Sequence, residues 1–248
     1  MILPFGLGVG EAAFLAVAFF VAALVRGYSG FGLTALCVSA AGLVTDPLKV
    51  VPVVIVADIA LTVLQAKGIR NHIDWRRVAA LSAGALVGVP MGVSALSGIG
   101  IDAARAMIAG FILAMCAILW RGWSFRGPVG DTGHVAVGVV SGISNAAAVG
   151  GLPVAAFFTA QGVPAAAFRA TLIVYFSLLD LWTVPVMAWN GLIDRETMVA
   201  AAMALPALSL GVWLGGRHFL RADPQDFRRL AILLLAGLSV IGLIKAAV

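Results

Sequence analysis

The sequence predicts an all-α, polytopic integral membrane protein with two structurally similar halves and about 8–10 transmembrane or half-membrane helices. Three observations predict this fold. Of the 248 residues, 62% are hydrophobic and only 11% are charged, against about 25% charged in an average globular protein. Apolar runs of about 20 residues, long enough to cross a hydrocarbon core, recur along the chain. Features of the first part of the chain also return, in the same order, in the second part.

Ten apolar segments are separated by glycine, proline or charged residues. They are predicted at 5–25, 31–44, 48–66, 76–97, 102–120, 132–149, 152–162, 165–188, 196–215 and 226–246. Because Glu11 lies inside the first segment and no basic region precedes it, we expect a permanent helix there and not a cleaved signal peptide. Cys37 and Cys116 both fall in apolar segments and predict helix packing, neither a disulfide nor a metal site.

The ordered series of matching features predicts two transmembrane repeats, residues 1–125 and 126–248, within one membrane domain. The matched pairs are Gly30/Gly150, Pro47/Pro164, Asp58/Asp180, Asp74/Asp194, Gly88/Gly211, Gly92/Gly215 and Asp102/Asp226. The last pair of aspartates opens the final helix of each half, a position where aspartate serves as an N-cap.

The distribution of basic residues indicates how the two halves are oriented. In the first half they concentrate in the loop at 67–77, whereas in the second half they follow the segment at 196–215, one loop later. Short basic loops face the cytoplasm, so this displacement predicts inverted repeats. The linker, which contains Arg121 and Arg126, then also lies inside. Parallel repeats are the alternative.

The second apolar segment of each half is short, about 11 to 14 residues, and follows a glycine-rich break. Short segments interrupted by glycine at matching positions point to a transporter's binding site. A broken helix exposes N–H groups and the positive end of its dipole, which favour an anion. The alternative is that the glycines only permit close helix crossing. The predicted substrate-binding residues at the breaks are Gly27, Ser29, Gly30, Gly32, Ser144, Asn145, Gly150 and Gly151.

Two arginines lie within or beside apolar segments, where a charge is costly and usually faces a cavity or the bundle interior. Arg26 precedes the first break, and Arg169 lies early in the segment at 165–188. Either guanidinium could pair with a sulfonate or carboxylate through its planar fork. Both could instead extend to the membrane interface. Thr171 completes the predicted substrate-binding set as polar lining.

Asp58 and Asp180 each lie near the middle of an otherwise apolar segment. A carboxylate in the middle of a membrane helix is expensive and suggests a proton carrier or a cation ligand. We therefore predict ion coupling, by H⁺ or Na⁺, at these two residues. The alternative is a purely structural aspartate that is hydrogen-bonded to its surroundings.

Sequence motifs of the common enzyme and metal sites do not occur. The chain has no HExxH, no phosphate-binding P-loop and no Cys/His spacing suited to a metal. No carboxylate pair is placed for hydrolysis. We therefore expect no enzymatic activity, no cofactor and no metal.

At the glycine breaks the sequence resembles the sulfite exporter TauE/SafE family of membrane permeases. The resembling stretches are 27–36 (GYSGFGLTAL), 142–153 (GISNAAAVGGLP) and 162–171 (GVPAAAFRAT). The likeness covers nearly the full length, including the two-half layout. The family's usual run of three glycines is reduced here to Gly30-x-Gly32 and Gly150-Gly151.

The resemblance implies a multi-pass permease of the cell inner membrane for sulfite, organosulfonates or related small anions, often in export. Together with the residues above, it predicts a secondary transporter, coupled to protons or sodium. The alternatives are an uncoupled, channel-like anion pore and a non-transporting membrane subunit such as a scaffold. The expected partners are a small anion, the lipid bilayer and H⁺ or Na⁺, with no nucleic acid. A homo-oligomer, the direction of transport and the identity of the anion stay open.

Overall fold

The computed structural model describes residues 4–65, 70–96, 98–122, 124–125, 127, 129–219, 233, 236–237 and 240. Across these residues all regular structure is helical. The helices are α1 Val9–Ser29, α2 Leu33–Ala41, α3 Pro47–Gln65, α4 Trp75–Leu96, α5 Ile101–Arg121, α6 Asp131–Asn145, α7 Gly151–Ala160, α8 Ala165–Trp189 and α9 Arg195–Phe219. Short 3-10 turns at Pro4–Gly6 and Arg70–His72 precede α1 and α4.

The all-α prediction is confirmed, and each of the first nine predicted segments coincides with one helix to within four residues at either end. At the segment 132–149 the helix is four residues shorter at its end than predicted, because α6 ends at Asn145 and the chain then turns. The tenth predicted segment, 226–246, lies almost wholly outside the described residues.

Five of the helices are long and apolar enough to cross a membrane: α1, α4, α5, α8 and α9 up to Arg217. Their outward faces carry large exposed apolar side chains, for example Val87, Met107 and Leu181, each more than half exposed. An outer surface of this kind suits the hydrocarbon of a bilayer. The chain is a multi-pass membrane protein.

Helices α4 and α6 run parallel and cross so closely that their backbones touch. A Cβ placed on Gly84 would lie 2.1 Å from the carbonyl oxygen of Val135, and one on Gly92 would lie 2.2 Å from that of Ile143. Real Cβ atoms do not approach other atoms this closely, so only glycine fits at these positions. Small residues permit such crossings in membranes, where helices associate through packing.

Helices α1 and α9 form a second parallel crossing of the same kind. A Cβ on Gly211 would lie 2.6 Å from the carbonyl oxygen of Phe20, and one on Gly215 would lie 2.2 Å from that of Leu24. From the α1 side, a Cβ on Gly27 would lie 2.4 Å from a carbonyl oxygen of α9. The two glycine pairs matched in the sequence, one on α4 and one on α9, thus take part in equivalent crossings.

Helices α4, α6 and α8 begin at the same end of the bundle. Arg76 and Asp131, at the starts of α4 and α6, form an ion pair at 2.9 Å. The N–H of Asp74, just before α4, donates to Thr171 Oγ1 near the start of α8, at 3.0 Å. Helix α9 follows α8, returns to this end of the bundle and finishes there near Arg217. We call this end, with its arginines, the basic end.

Helices α3 and α8 lie side by side at the centre of the bundle and are antiparallel. Asp58 on α3 contacts Asp180 on α8, and Ser177 donates to Thr62 Oγ1 at 3.0 Å. From Asp58 to Thr62 the contacts advance along α3, whereas from Asp180 to Ser177 they go back along α8. Because α8 begins at the basic end, α3 begins at the opposite end.

The short helices α2 and α7 reverse the direction of the chain. Each returns toward the end of the bundle at which the helix before it begins. The His134 ring, early in α6, lies 5.0 Å from the Phe157 ring on α7, so α7 returns to the basic end. Arg105, early in α5, donates to the carbonyl of Thr45 at 3.0 Å, so the chain after α2 returns to the opposite end. The α1–α2 and α6–α7 hairpins therefore enter from opposite ends. Inverted repeats produce this arrangement; the division into two repeats stays a prediction.

Candidate functional site

Two left-handed glycines form the first helix break, between α1 and α2. Gly30 and Gly32 have φ angles of 81° and 90°, a region that costs other residues about 1–2 kcal/mol. The Ser29 hydroxyl donates to the Val25 carbonyl at 2.8 Å and accepts the N–H of Phe31 at 3.3 Å. These bonds satisfy backbone groups that the turn would otherwise leave unpaired inside the protein.

The second break, after Asn145, depends more on side-chain hydrogen bonds. Ala148 there has a φ of 57°, unfavourable for a residue with a side chain. The Ser141 hydroxyl donates to the Gly150 carbonyl at 2.7 Å and itself accepts from the Tyr175 hydroxyl at 2.8 Å. A Cβ on Gly150 would lie 2.5 Å from the Ser141 carbonyl oxygen. The hydroxyls therefore hold the turn in place against α6.

Arg26, at the end of α1, forms a buried ion pair with Asp58 in the middle of α3. Arg26 Nη2 lies 3.0 Å from Asp58 Oδ2, and the two side chains are 2% and 1% exposed. The guanidinium also lies over the Phe176 ring of α8, 5.6 Å from its centroid. Removing one partner of such a pair leaves an uncompensated charge in the protein interior, which is strongly destabilising.

The carboxyl of Asp180 lies against that of Asp58. Asn145 Nδ2, at the end of α6, donates to Asp180 Oδ1 at 3.2 Å and to Thr183 Oγ1 at 2.9 Å. The Thr183 hydroxyl in turn donates to the Leu179 carbonyl at 2.7 Å. The structure thus brings together one residue from each helix break and the two predicted aspartates.

The four-residue cluster of Arg26, Asp58, Asp180 and Asn145 places two carboxyls beside a single guanidinium. Ionised carboxylates only accept hydrogen bonds, so two carboxyls can bond to each other only when one of them is protonated. The cluster has no net charge when one of the two carboxyls is protonated and the other is ionised beside the guanidinium of Arg26. This balance accounts for burial of three ionisable groups in one place.

Arg169, on α8, lies at the edge of the first break and is partly exposed. Its Nη2 donates to the Gly27 carbonyl at 2.9 Å, and its Cγ lies 3.1 Å from where a Cβ of Gly30 would be. A cation near the last carbonyls of α1 also interacts favourably with the helix dipole. Arg169 is close enough to Arg26 for their charges to repel. The first break therefore has two guanidinium groups beside it, one buried and one accessible.

Two predicted site residues lie elsewhere. Thr171 is fully buried, and its hydroxyl oxygen accepts the N–H of Asp74. This contact lies at the basic end, away from the pair Asp58 and Asp180. Ser144 is partly exposed and donates to the Val140 carbonyl at 2.8 Å. It lies on the wall of an apolar cavity of about 200 Å³ between α5 and α6.

Two residues of this region were not predicted from the sequence. Phe176 has the guanidinium of Arg26 over its ring, and its edge lies 3.1 Å from where a Cβ of Gly151 would be, so it links the two breaks. Thr183 is fully buried and follows Asp180 by three residues, on the same face of α8. That spacing was the available signal for Thr183, whereas nothing distinguishes Phe176 from other aromatic residues of an apolar helix.

Metal ligands are not grouped in this part of the molecule. Within the described ranges, no set of three or more His, Cys, Asp or Glu side chains is arranged to hold a metal ion. The position beside the carboxyl pair is taken by the guanidinium of Arg26.

Comparisons with known proteins agree with the resemblance seen at the breaks. The family described as "Sulfite exporter TauE/SafE" matches residues 15–241. The chain is also 31% identical over 224 residues to a protein of Cupriavidus necator named "Probable sulfite/organosulfonate exporter TauE", covering 85% of each chain. No solved structure shows a significant match. With most of its length matched, the chain belongs to the sulfite exporter TauE/SafE family, which consists of membrane transporters and not of enzymes.

Proposed function

We propose that the chain is a secondary transporter that exports sulfite or small organosulfonates across the cell inner membrane. The observation that carries the proposal is the buried cluster of Arg26, Asp58, Asp180 and Asn145, which lies where the two helix breaks meet α3 and α8. The name of the Cupriavidus necator relative supports the substrate class and the direction. The basic end of the bundle faces the cytoplasm, following the positive-inside rule.

The anion binds at the first break, between the two arginines. The partly exposed Arg169 attracts it first, and the planar fork of Arg26 then binds two of its oxygens. The start of α2 at Gly32 adds backbone N–H groups and the positive end of a helix dipole. The start of α7 at Gly151, in the second half of the chain, likewise offers backbone N–H groups and the positive end of a helix dipole.

A carrier is favoured over an uncoupled pore because the described residues close the centre of the bundle. Arg26, Asp58 and Asp180 are each no more than 2% exposed, so no open path passes through the cluster in this conformation. Transport then requires the helices around the cluster to separate toward one side at a time, as in alternating access. Asp58 and Asp180 carry the coupling ion, and a proton is favoured over Na⁺ because Arg26 already occupies the cation position.

The test is flux of labelled sulfite and of methanesulfonate in proteoliposomes, with and without an imposed pH gradient. Wild type should show saturable flux. Arg169→Ala should lower it at least tenfold, since a charge-assisted contact contributes about 1.5–3 kcal/mol. The matched control is Arg121→Ala, because Arg121 is an exposed arginine at the end of α5; its flux should equal that of wild type.

Absence of saturable flux of either anion in wild type would refute the proposed function. Flux that rises linearly with concentration and ignores the pH gradient would instead favour the channel-like pore.

A further inference from the structure

We infer that the transported anion and Asp58 compete for the guanidinium of Arg26, so that each bound anion places one proton on the Asp58 carboxyl. The inference rests on the proposed function, and it specifies which group takes the coupling proton and why. It treats the Arg26–Asp58 ion pair as the resting state of the substrate site, in which a carboxylate of the protein occupies the anion's place.

The geometry of the ion pair allows this exchange. Arg26 contacts Asp58 through Nη2 at 3.0 Å, and its Nε has no hydrogen-bond partner within the described part of the chain. One face of the guanidinium is covered by the Phe176 ring. An anion with two or three oxygens on one sulfur atom can bind Nε and Nη2 together, which a carboxylate held by α3 does not do here. A sulfonate or sulfite can therefore make two contacts at this edge, where Asp58 makes one.

The charges around Asp58 require a proton to enter with the anion. Arg26 faces it from α1, Asp180 from α8 and the thiol of Cys37 from α2. The Tyr175 hydroxyl faces Asp180, and α5 and α9, which also pack on α3, bring no charged group to Asp58 among the described residues. An Asp58 carboxylate that has lost Arg26 would therefore be buried without a cation and next to another carboxyl, which is unfavourable.

The exchange conserves charge and atoms. A site with Arg26 positive and Asp58 negative takes up one anion and one proton from the same aqueous compartment. It becomes a site in which Arg26 is paired with the anion and Asp58 is a neutral carboxylic acid. A new O–H bond forms on Asp58, and no bond of the anion changes. Anion and proton consequently cross the membrane together, and a singly charged anion crosses without net charge.

The test is the pH dependence of methanesulfonate binding to the purified full chain, measured by titration calorimetry in buffers of different ionisation enthalpy. Methanesulfonate keeps its charge across the neutral range, so any proton taken up goes to the protein. We expect one proton per anion in wild type, and a Kd that rises about tenfold for each unit of increasing pH. Asp58→Asn should bind the anion with no proton uptake and with a Kd independent of pH. Asp102→Asn, which changes an exposed aspartate at the start of α5, is the matched control and should keep the uptake.

Binding to wild type without proton uptake, or undiminished uptake in Asp58→Asn, would overturn the competition and leave the transporter proposal standing. Absence of any binding or flux in wild type would instead defeat the proposed function itself. If Asp58→Asn does not fold, the slope of Kd against pH in wild type decides alone, because a flat slope contradicts the inference.

Discussion

The two buried aspartates, one in each predicted half, lie side by side but have different partners. Asp58 is paired with a cation, Arg26, at the end of α1. Asp180 is held by a neutral amide, Asn145, at the end of α6. Arg26 and Asn145 occupy comparable positions, each close to the helix break of its own half. The first half thus supplies the charge of the cluster and the second supplies neutral hydrogen bonds.

This difference follows from the contact between the two carboxyls. Two carboxylates and two arginines buried together would need four ions desolvated, whereas one arginine and one shared proton neutralise both acids. The second half can therefore dispense with a cation. What the comparison teaches is that similar helices can carry different chemistry, with a cationic partner for the aspartate in one half and a neutral amide partner in the other.

The largest expected effect comes from removing the partner of each aspartate in turn. Arg26→Gln leaves a buried carboxylate without its cation and should lower the free energy of unfolding by about 3–5 kcal/mol. Asn145→Ala removes one neutral donor and should cost about 1–3 kcal/mol. Thermal unfolding of both variants in the same detergent and lipid measures the difference.

The double variant Arg26→Gln/Asp58→Asn is the control, because it removes both charges and should recover part of the loss. Equal destabilisation by Arg26→Gln and Asn145→Ala would contradict the assignment of charge to the first half only.

A smaller effect is expected at the two glycine crossings, where the halves should behave alike. Gly84→Ala on α4 and Gly215→Ala on α9 each place a Cβ 2.1–2.2 Å from a backbone oxygen of the neighbouring helix. Each should destabilise the protein by about 3 kcal/mol, the upper part of the range for overpacking. Gly110→Ala on α5, where a Cβ would meet nothing within 4 Å, is the control and should keep wild-type stability. A large loss at one crossing alone would argue against two equivalent crossings.

The helices, the positions of both breaks and the placement of both aspartates inside helices were predictable, because they depend on hydrophobic length, glycine and the distribution of charge along apolar segments. The pairing of Asp58 with Arg26 was not predictable from the sequence. Whether Arg26 extends to the interface or turns inward depends on how α1 is rotated about its axis, and apolar sequence does not determine that rotation. Thr171 illustrates the same limit. Its place in the sequence suggested polar lining, and its hydrogen bond from the N–H of Asp74 at the basic end is a contact that the sequence does not indicate.

The smallest effect is expected at the aspartates that precede α4 and α9, which the sequence also matched. Asp74 Oδ1 accepts the N–H of Arg77 at 3.1 Å, and its Oδ2 pairs with the same arginine. Among the residues that the structure describes, no cation pairs with Asp194; its Oδ1 accepts the N–H of Thr197 at 2.7 Å and the hydroxyl at 2.8 Å. Hydrogen bonds from the backbone and side chain of Thr197 lower the pKa of Asp194 below its ordinary value.

A lowered native pKa means that Asp194 stabilises α9 at neutral pH and that this contribution is lost as the pH falls through that pKa, below about 4. Asp194→Asn keeps an oxygen that can cap the helix but removes the charge. The variant should therefore match wild type in acid and be slightly less stable near neutral pH. Melting temperatures across the acid range measure this, and because Asp194 is exposed the difference should be small. A variant curve parallel to wild type at every pH would show that the cap acts without its charge, which would make the two matched aspartates differ in kind.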